Sequence, residues 1–284
     1  MQGVMRSPCA YTLWHYRATM PFTLAHPAAV IPLARIDRGR LVPSALVIGS
    51  VAPDLAYYLP LGVTRTESHS LAGLLWFCLP VGFATYVLFH LILERPMASL
   101  LPARVAGRLA SLLCVPGRLP AVEWRWVGAS LLLGALSHLG WDAFTHEDGL
   151  AVRAIGFLRT PVLSVGAFQI VLYKVLQHGS TVLGILFLTW WVKGWLSRAA
   201  PQPMETTPAF APSTRARIVI AMFTISTCVG AATGFIALPR PVTASALQHA
   251  VGTAVVSTIS TLWVIVLVFS IHWHLRARPS DGAP

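Results

Sequence analysis

His138, Asp142 and His146, within the stretch GALSHLGWDAFTHED, set the reading of this chain. They fall at i, i+4 and i+8, so on an α-helix all three stack on one face over two turns. Imidazole nitrogen and carboxylate oxygen are the donors that suit zinc and similar divalent ions. The residues leading in, Val127 to Leu136, are apolar and read as buried in lipid. Ionisable groups in such a place are costly and mark function. An aspartate there needs a cation or strong donors, which favours metal ligation for the triplet over a purely structural hydrogen-bond network.

Other residues could join them. His26 precedes Pro27, Asp54 follows the small-residue run IGSVAP, and His69 and His178 each stand at the entrance of an apolar run. Asp54 is open to two readings, a bridging carboxylate or an aspartate that satisfies the donors of a turn. Glu67 reads equally as a general base or as a solvated side chain. His90, His249, His272 and His274 read as hydrogen-bonding residues on apolar helices, which need no metal. Gly49 and Gly140 read as points of close helix packing. The four cysteines show no CxxC spacing, which leaves disulfide and cysteine-zinc frameworks unsupported.

The elements that must position these groups are membrane helices. Of 284 residues 55% are hydrophobic and only 11% are charged, with mean hydropathy +0.66; a soluble domain carries about 25% charged residues. The formal charge of +11 lies in short clusters between apolar runs, the pattern that orients membrane helices, and nucleic-acid binding is set aside. The expected fold is all-α, a polytopic integral membrane protein with five spans and a short N-terminal helical hairpin. Residues 1–19 read as a leader, either a disordered tail or an overextended start. Thr23 to Ile36 and Pro43 to Pro60 are each too short for the roughly 20 apolar residues of a full span; they form the hairpin, which dips partly into the bilayer. The spans are Leu71 to Leu93, Trp126 to Thr145, His178 to Trp195, Ile218 to Leu238 and His249 to Trp273. Glu147 to Gln177 reads as a mixed loop with a short helix. Residues 20–196 form the membrane domain with the site, 197–214 a Pro-rich linker, 215–275 two C-terminal spans, and 276–284 a tail.

Positive charge favours the cytoplasmic side. Arg95, Arg104, Arg108, Arg118 and Arg125 share one loop, and Lys193, Arg198, Arg215 and Arg217 fall on the same side of the bilayer. The opposite side holds fewer: Arg65, Arg153, Arg159, Lys174 and Arg240. With that orientation Asp54, His69, His146 and His178 lie at the outer ends of their segments, with His138 and Asp142 one or two turns deeper. His26 joins them through the hairpin. Such a His/Asp cluster could hold two or three divalent ions, most simply zinc. Paired ions lower the pKa of a bound water and clamp a transferring phosphoryl group. No P-loop, nucleophile elbow or dinucleotide fingerprint competes.

The motifs MPFTLAHPAAVIPL, LVPSALVIGSVAPDLAYYL, HLGWDAFTHEDG and LYKVLQHGSTVLG resemble the bacterial membrane family called domain of unknown function 4184. More loosely, the order His26, Asp54, His69, His138, Asp142, His146 resembles membrane-bound predicted metal-dependent hydrolases of the LexA-regulated type. It is also similar to the ligand order of zinc-dependent phospholipase C. That likeness implies one zinc on Asp54, His69, His138 and Asp142, a second reached by Asp142 near His26, and a third on His146 and His178. It departs in two places: no N-terminal Trp ligand is present, and Val182 stands where a last Glu is expected, so Glu147 or Asp148 would substitute. The expectation is a multi-pass protein of the bacterial inner membrane, with its site towards the extracytoplasmic face. It would hydrolyse a phosphate ester, such as a phospholipid or other lipid phosphate, with Glu67 and Glu147 as acid/base candidates. The alternatives are a non-enzymatic metal-binding or transport protein, or a structural membrane protein.

Overall fold

The computed structural model describes residues 23–36, 39–114, 118–165, 168–202, 210–239 and 242–276. The expected leader, residues 203–209 of the Pro-rich linker and the tail beyond Arg276 lie outside them. Proline opens both helices of the N-terminal hairpin, α1 (Pro27–Ile36) and α2 (Pro43–Val51), where its missing N–H costs no hydrogen bond. Gly39 in the connecting turn has φ 88°, a conformation that favours glycine. Helices of this length rise only about 15 Å, half of a bilayer core of about 30 Å, so neither is long enough to cross it.

Among the described residues four helices are long and apolar enough to cross a membrane: α3 (Leu71–Ser99), α5 (Leu172–Arg198), α6 (Pro212–Ile236) and the helix that ends at Arg276, α7 (Ala244–Arg276). Five were expected. The difference is α4 (Trp124–Thr145), whose 22 residues give about 33 Å. Its sequence carries Arg125, Ser130, Ser137, His138 and Asp142, polar content that separates it from the other four. Its polar face is turned into protein, with Ser130, His138 and Asp142 all buried. Among the described residues the regular structure is helical apart from one feature absent from the sequence reading. Pro161–Val165 and Phe168–Val171 pair as an antiparallel β-hairpin, in a region expected to hold only loop and a short helix. The short helix is present at Leu150–Ala154. Apolar and β-branched residues at Val162, Val165, Ile170 and Val171 suit the pleated ladder better than a further helical turn.

The close contact of α2 with α4 fixes the architecture. Added Cβ atoms at Gly49 and Gly134 would run into the backbone of Leu131 and of Leu46 respectively, so both glycines are required for the two backbones to touch. Gly140 has nothing within 4 Å of such an atom; Gly134, not Gly140, is the partner of Gly49. The Val42 amide donates to Ser130 Oγ at 2.9 Å, which ties the start of α2 to α4. Around this seam pack Val42, Ala45, Ile48, Tyr86, Val127 and Leu131, followed towards the other end by Ala52, Leu74, Phe77, Cys78 and Ala135. The last two spans lie on each other through Gly230 and Gly234, which face Ala254 and Thr258. Ser260 Oγ donates to the Tyr58 carbonyl at 3.1 Å, and the His274 ring to that of Ile92 at 3.1 Å.

Candidate metal centre

Both limbs of the hairpin and one end of the α2–α4 seam, the end at Ser50 and His138, deliver side chains to one point. His26 lies just before α1, and Asp54 ends the single 3-10 turn Ala52–Asp54 that follows α2. His69 caps the short helix Arg65–Ser68 ahead of α3. His138 and Asp142 project from consecutive turns of α4, and His146 caps that helix. His26, Asp54, His138, Asp142 and His146 are buried, and the His69 side chain is 9% exposed.

Two of the imidazoles are held by their Nδ1–H groups. His138 Nδ1 donates to the Ser50 carbonyl at 2.8 Å, and His69 Nδ1 lies 3.2 Å from the Arg65 carbonyl and 2.9 Å from Ser68 Oγ. This is how metal-binding histidines are oriented, with the other nitrogen left as the donor. Those other nitrogens, His69 Nε2 and His138 Nε2, are buried without a hydrogen-bond partner among the described residues, as is Asp142 Oδ1. An unsatisfied buried polar atom costs about 1–3 kcal/mol, so three converging in one place call for something to bind.

The spacing fits a cation. His69 Nε2 and His138 Nε2 lie 3.2 and 3.6 Å from Asp54 Oδ1, and 3.6 and 3.5 Å from Asp142 Oδ2. Donors at the corners of a tetrahedron sit about 3.3 Å apart when each bond to the metal is about 2.0–2.1 Å. The other carboxylate oxygen, Asp142 Oδ1, lies 3.3 Å from His146 Nδ1 and 3.8 Å from His26 Nε2. The ligand atoms of His26, His138 and Asp142 lie within 4.8 Å of one another, as do those of Asp54, His69 and His138. Asp142 meets His69 and His138 through Oδ2, and His146 and His26 through Oδ1. The His26 ring stacks on that of His138 at 3.8 Å. An imidazole nitrogen has one lone pair, so His138 can serve only one ion at a time. Burial pushes His26 down to about 3 and His146 down to about 4; both are neutral at pH 7, the protonation state a metal requires.

His178 does not reach the cluster. It is exposed on α5, and its neighbour Gln177 takes the inward position, buried with Nε2 3.2 Å from His146 Nε2. Glu67 closes a capping box: its carboxylate accepts from the Thr64 amide at 2.8 Å and hydroxyl at 2.7 Å. The hydroxyl bond, with the amide's help, lowers its pKa. Glu147 and Asp148 are exposed beside His146. Sequence reasoning missed Arg65, counted there only as a loop charge. Its guanidinium lies 3.1 Å from Asp142 Oδ2 and 3.6 Å from Asp148 Oδ2. The available signal was its place four residues before His69 in an otherwise charge-poor chain. Gln177 gave no such signal.

A second group, His90, Glu94 and Cys114, also brings potential ligands together. Here the polar atoms satisfy one another. The His90 ring bonds Ser44 Oγ at 3.0 Å through Nε2 and Glu94 Oε2 at 2.8 Å through Nδ1, while Glu94 Oε1 accepts the Cys114 amide at 3.0 Å. This is a closed network that ties the 110–114 segment to α3, as the structural reading of His90 anticipates.

Residues 20–271 match the family described as domain of unknown function (DUF4184), and the chain belongs to it. No curated protein and no solved structure matches the chain.

Proposed function

We propose that this member of the family is a membrane-bound, metal-dependent hydrolase of phosphate esters, working with two divalent ions, most simply zinc. The observation that carries the reading is the bridging position of Asp142 between two imidazole-containing donor sets, with three buried donor atoms left unsatisfied. Asp54, His69, His138 and Asp142 Oδ2 would hold one ion; His26, His146 and Asp142 Oδ1 would hold the other, with fewer protein donors and hence an open position. Bound there, the pair would supply an acidified water and positive charge for phosphoryl oxygens.

The chain's own groups have definite parts. Ser50 and Arg65 carbonyls fix the His138 and His69 rings. Arg65, with its side chain 26% exposed, borders the cluster on the solvent side and is suited to take a non-bridging phosphoryl oxygen. Gln177 orients His146. Glu147, exposed and adjacent to His146, is the side chain that takes up a proton during hydrolysis; the Glu67 carboxylate is committed to its cap. A transporter would place its ligands along a path near the midplane, whereas these gather at one end of the helices.

The test is elemental analysis of detergent-purified protein beside Asp142→Asn, followed by hydrolysis of p-nitrophenyl phosphate. Two zinc ions per chain, lost in the variant together with turnover, are expected. Metal-free wild-type protein would overturn the reading.

A further inference from the structure

We infer that the groove beside the metal centre seats one hydrocarbon chain of a phosphate-headed membrane lipid, so that the ester cut at the cluster is a phospholipid's. The inference rests on the hydrolase reading above and gives it a substrate class. The groove has a volume of about 310 Å³ and lies between α1 and α5, with α4 at one end. One end is built by cluster residues: His26 itself, Thr145, whose Oγ1 lies 3.2 Å from His146 Nδ1, and Gln177, bonded to the same ring. From there the lining turns apolar, through Ala29, Pro32, Leu183 and Phe187.

Its course matches a lipid. On α5 the lining residues Gln177, Ser180, Thr181, Gly184 and Phe187 recur on one face. Ten residues of rise carry that face about 15 Å along a membrane-crossing helix. A chain lying in the groove therefore runs parallel to the bilayer chains, with its head at the cluster. Trp141, exposed at the mouth, donates its indole N–H to Ser180 Oγ at 3.2 Å and so joins α4 to α5 there; indoles favour the headgroup level. Charge agrees with the polarity: Arg65 stands on Asp142, and Lys174 donates to Gln177 Oε1 at 2.9 Å, cations suited to an anionic phosphate. A hydrocarbon tail gains little by moving from lipid into this groove, since both are apolar. Recognition resides in the headgroup, and the groove gives the attached chain room.

The test uses the full chain in nanodiscs containing phosphatidylglycerol with a photoactivatable diazirine in one acyl chain, with labelled residues mapped by mass spectrometry. Labelling concentrated on Leu183, Phe187 and Pro32 is expected, over the level on the lipid-facing residues Ile220 and Phe223 of α6. It should be lost in Ala29→Trp and, independently, in Leu183→Trp, both substitutions at exposed lining positions. Labelling that is uniform across the spans, or unchanged in both variants of normal thermal stability, would overturn the groove. Zinc content and p-nitrophenyl phosphate turnover of the wild-type protein decide the hydrolase reading separately: a zinc-loaded, active protein with uniform labelling would fail the groove alone, and a zinc-free protein with concentrated labelling would fail hydrolysis alone.

Discussion

Zinc should stabilise this protein through Asp142, and by a calculable amount. His69 Nε2, His138 Nε2 and Asp142 Oδ1 are buried and make no hydrogen bond among the described residues, a state that costs about 1–3 kcal/mol per atom and that their ion-pair contacts at 3.2–3.5 Å only partly offset. A metal at a thousandfold over its dissociation constant returns about 4 kcal/mol by mass action. At about 2–4 °C per kcal/mol, zinc added to chelated protein should raise the melting temperature by about 10 °C. Asp142→Asn keeps the shape and removes the bridging charge. It also strips Arg65 of a partner at 3.1 Å, so its baseline falls whether or not a metal binds. The informative quantity is therefore the zinc-dependent difference, measured by tryptophan fluorescence in detergent. Near zero is expected for Asp142→Asn, and Glu94→Gln should retain the wild-type rise. An equal rise in wild type and Asp142→Asn, or none in wild type, would refute the argument from unsatisfied donors.

Other consequences are as specific. Gly134→Val places a side chain against the backbone of Leu46 and Ser50; separation of α2 from α4 should cost at least about 1–3 kcal/mol and lower zinc content, read by melting temperature and elemental analysis. Arg65→Gln should keep its zinc and lose about 10²-fold or more in kcat on p-nitrophenyl phosphate, the scale of one lost charge-stabilising donor; unchanged kcat would remove Arg65 from the chemistry. His178→Ala should leave zinc content unchanged while Gln177→Leu lowers it, because Gln177 is bonded to His146 and His178 is turned outward. Metal-free protein should lose stability on acidification. With His146 at about 4 and His26 at about 3 in the fold, the unfolded chain, titrating near 6.5, takes up protons first. Melting temperature should thus fall from about pH 6.5 towards pH 4, and His146→Gln should flatten part of that slope; a temperature that rises on acidification would contradict it.

The sequence by itself determined the membrane-helical class, because low charge and long apolar runs leave few other ways to satisfy a backbone in lipid. It also determined the reach of the central motif, since the i, i+4 step of a helix puts His138 beside Asp142 whatever surrounds them. The hairpin was legible too, from two apolar segments too short to span. Tertiary structure decided what those local rules leave free. The rotation of α5 about its axis turns Gln177 inward and His178 outward, and a one-residue shift of about 100° is set by packing against α1 and α4 rather than by any feature of YKVLQHGST. Which glycine lets α2 approach α4 depends on the crossing point, hence Gly134 instead of Gly140. Arg65 became part of the site because the turn before α3 folds over Asp142, a contact across 77 residues of chain. His90 and Cys114 likewise meet only in three dimensions, and there the fold closes their hydrogen bonds, whereas at Asp142 it leaves donor atoms open.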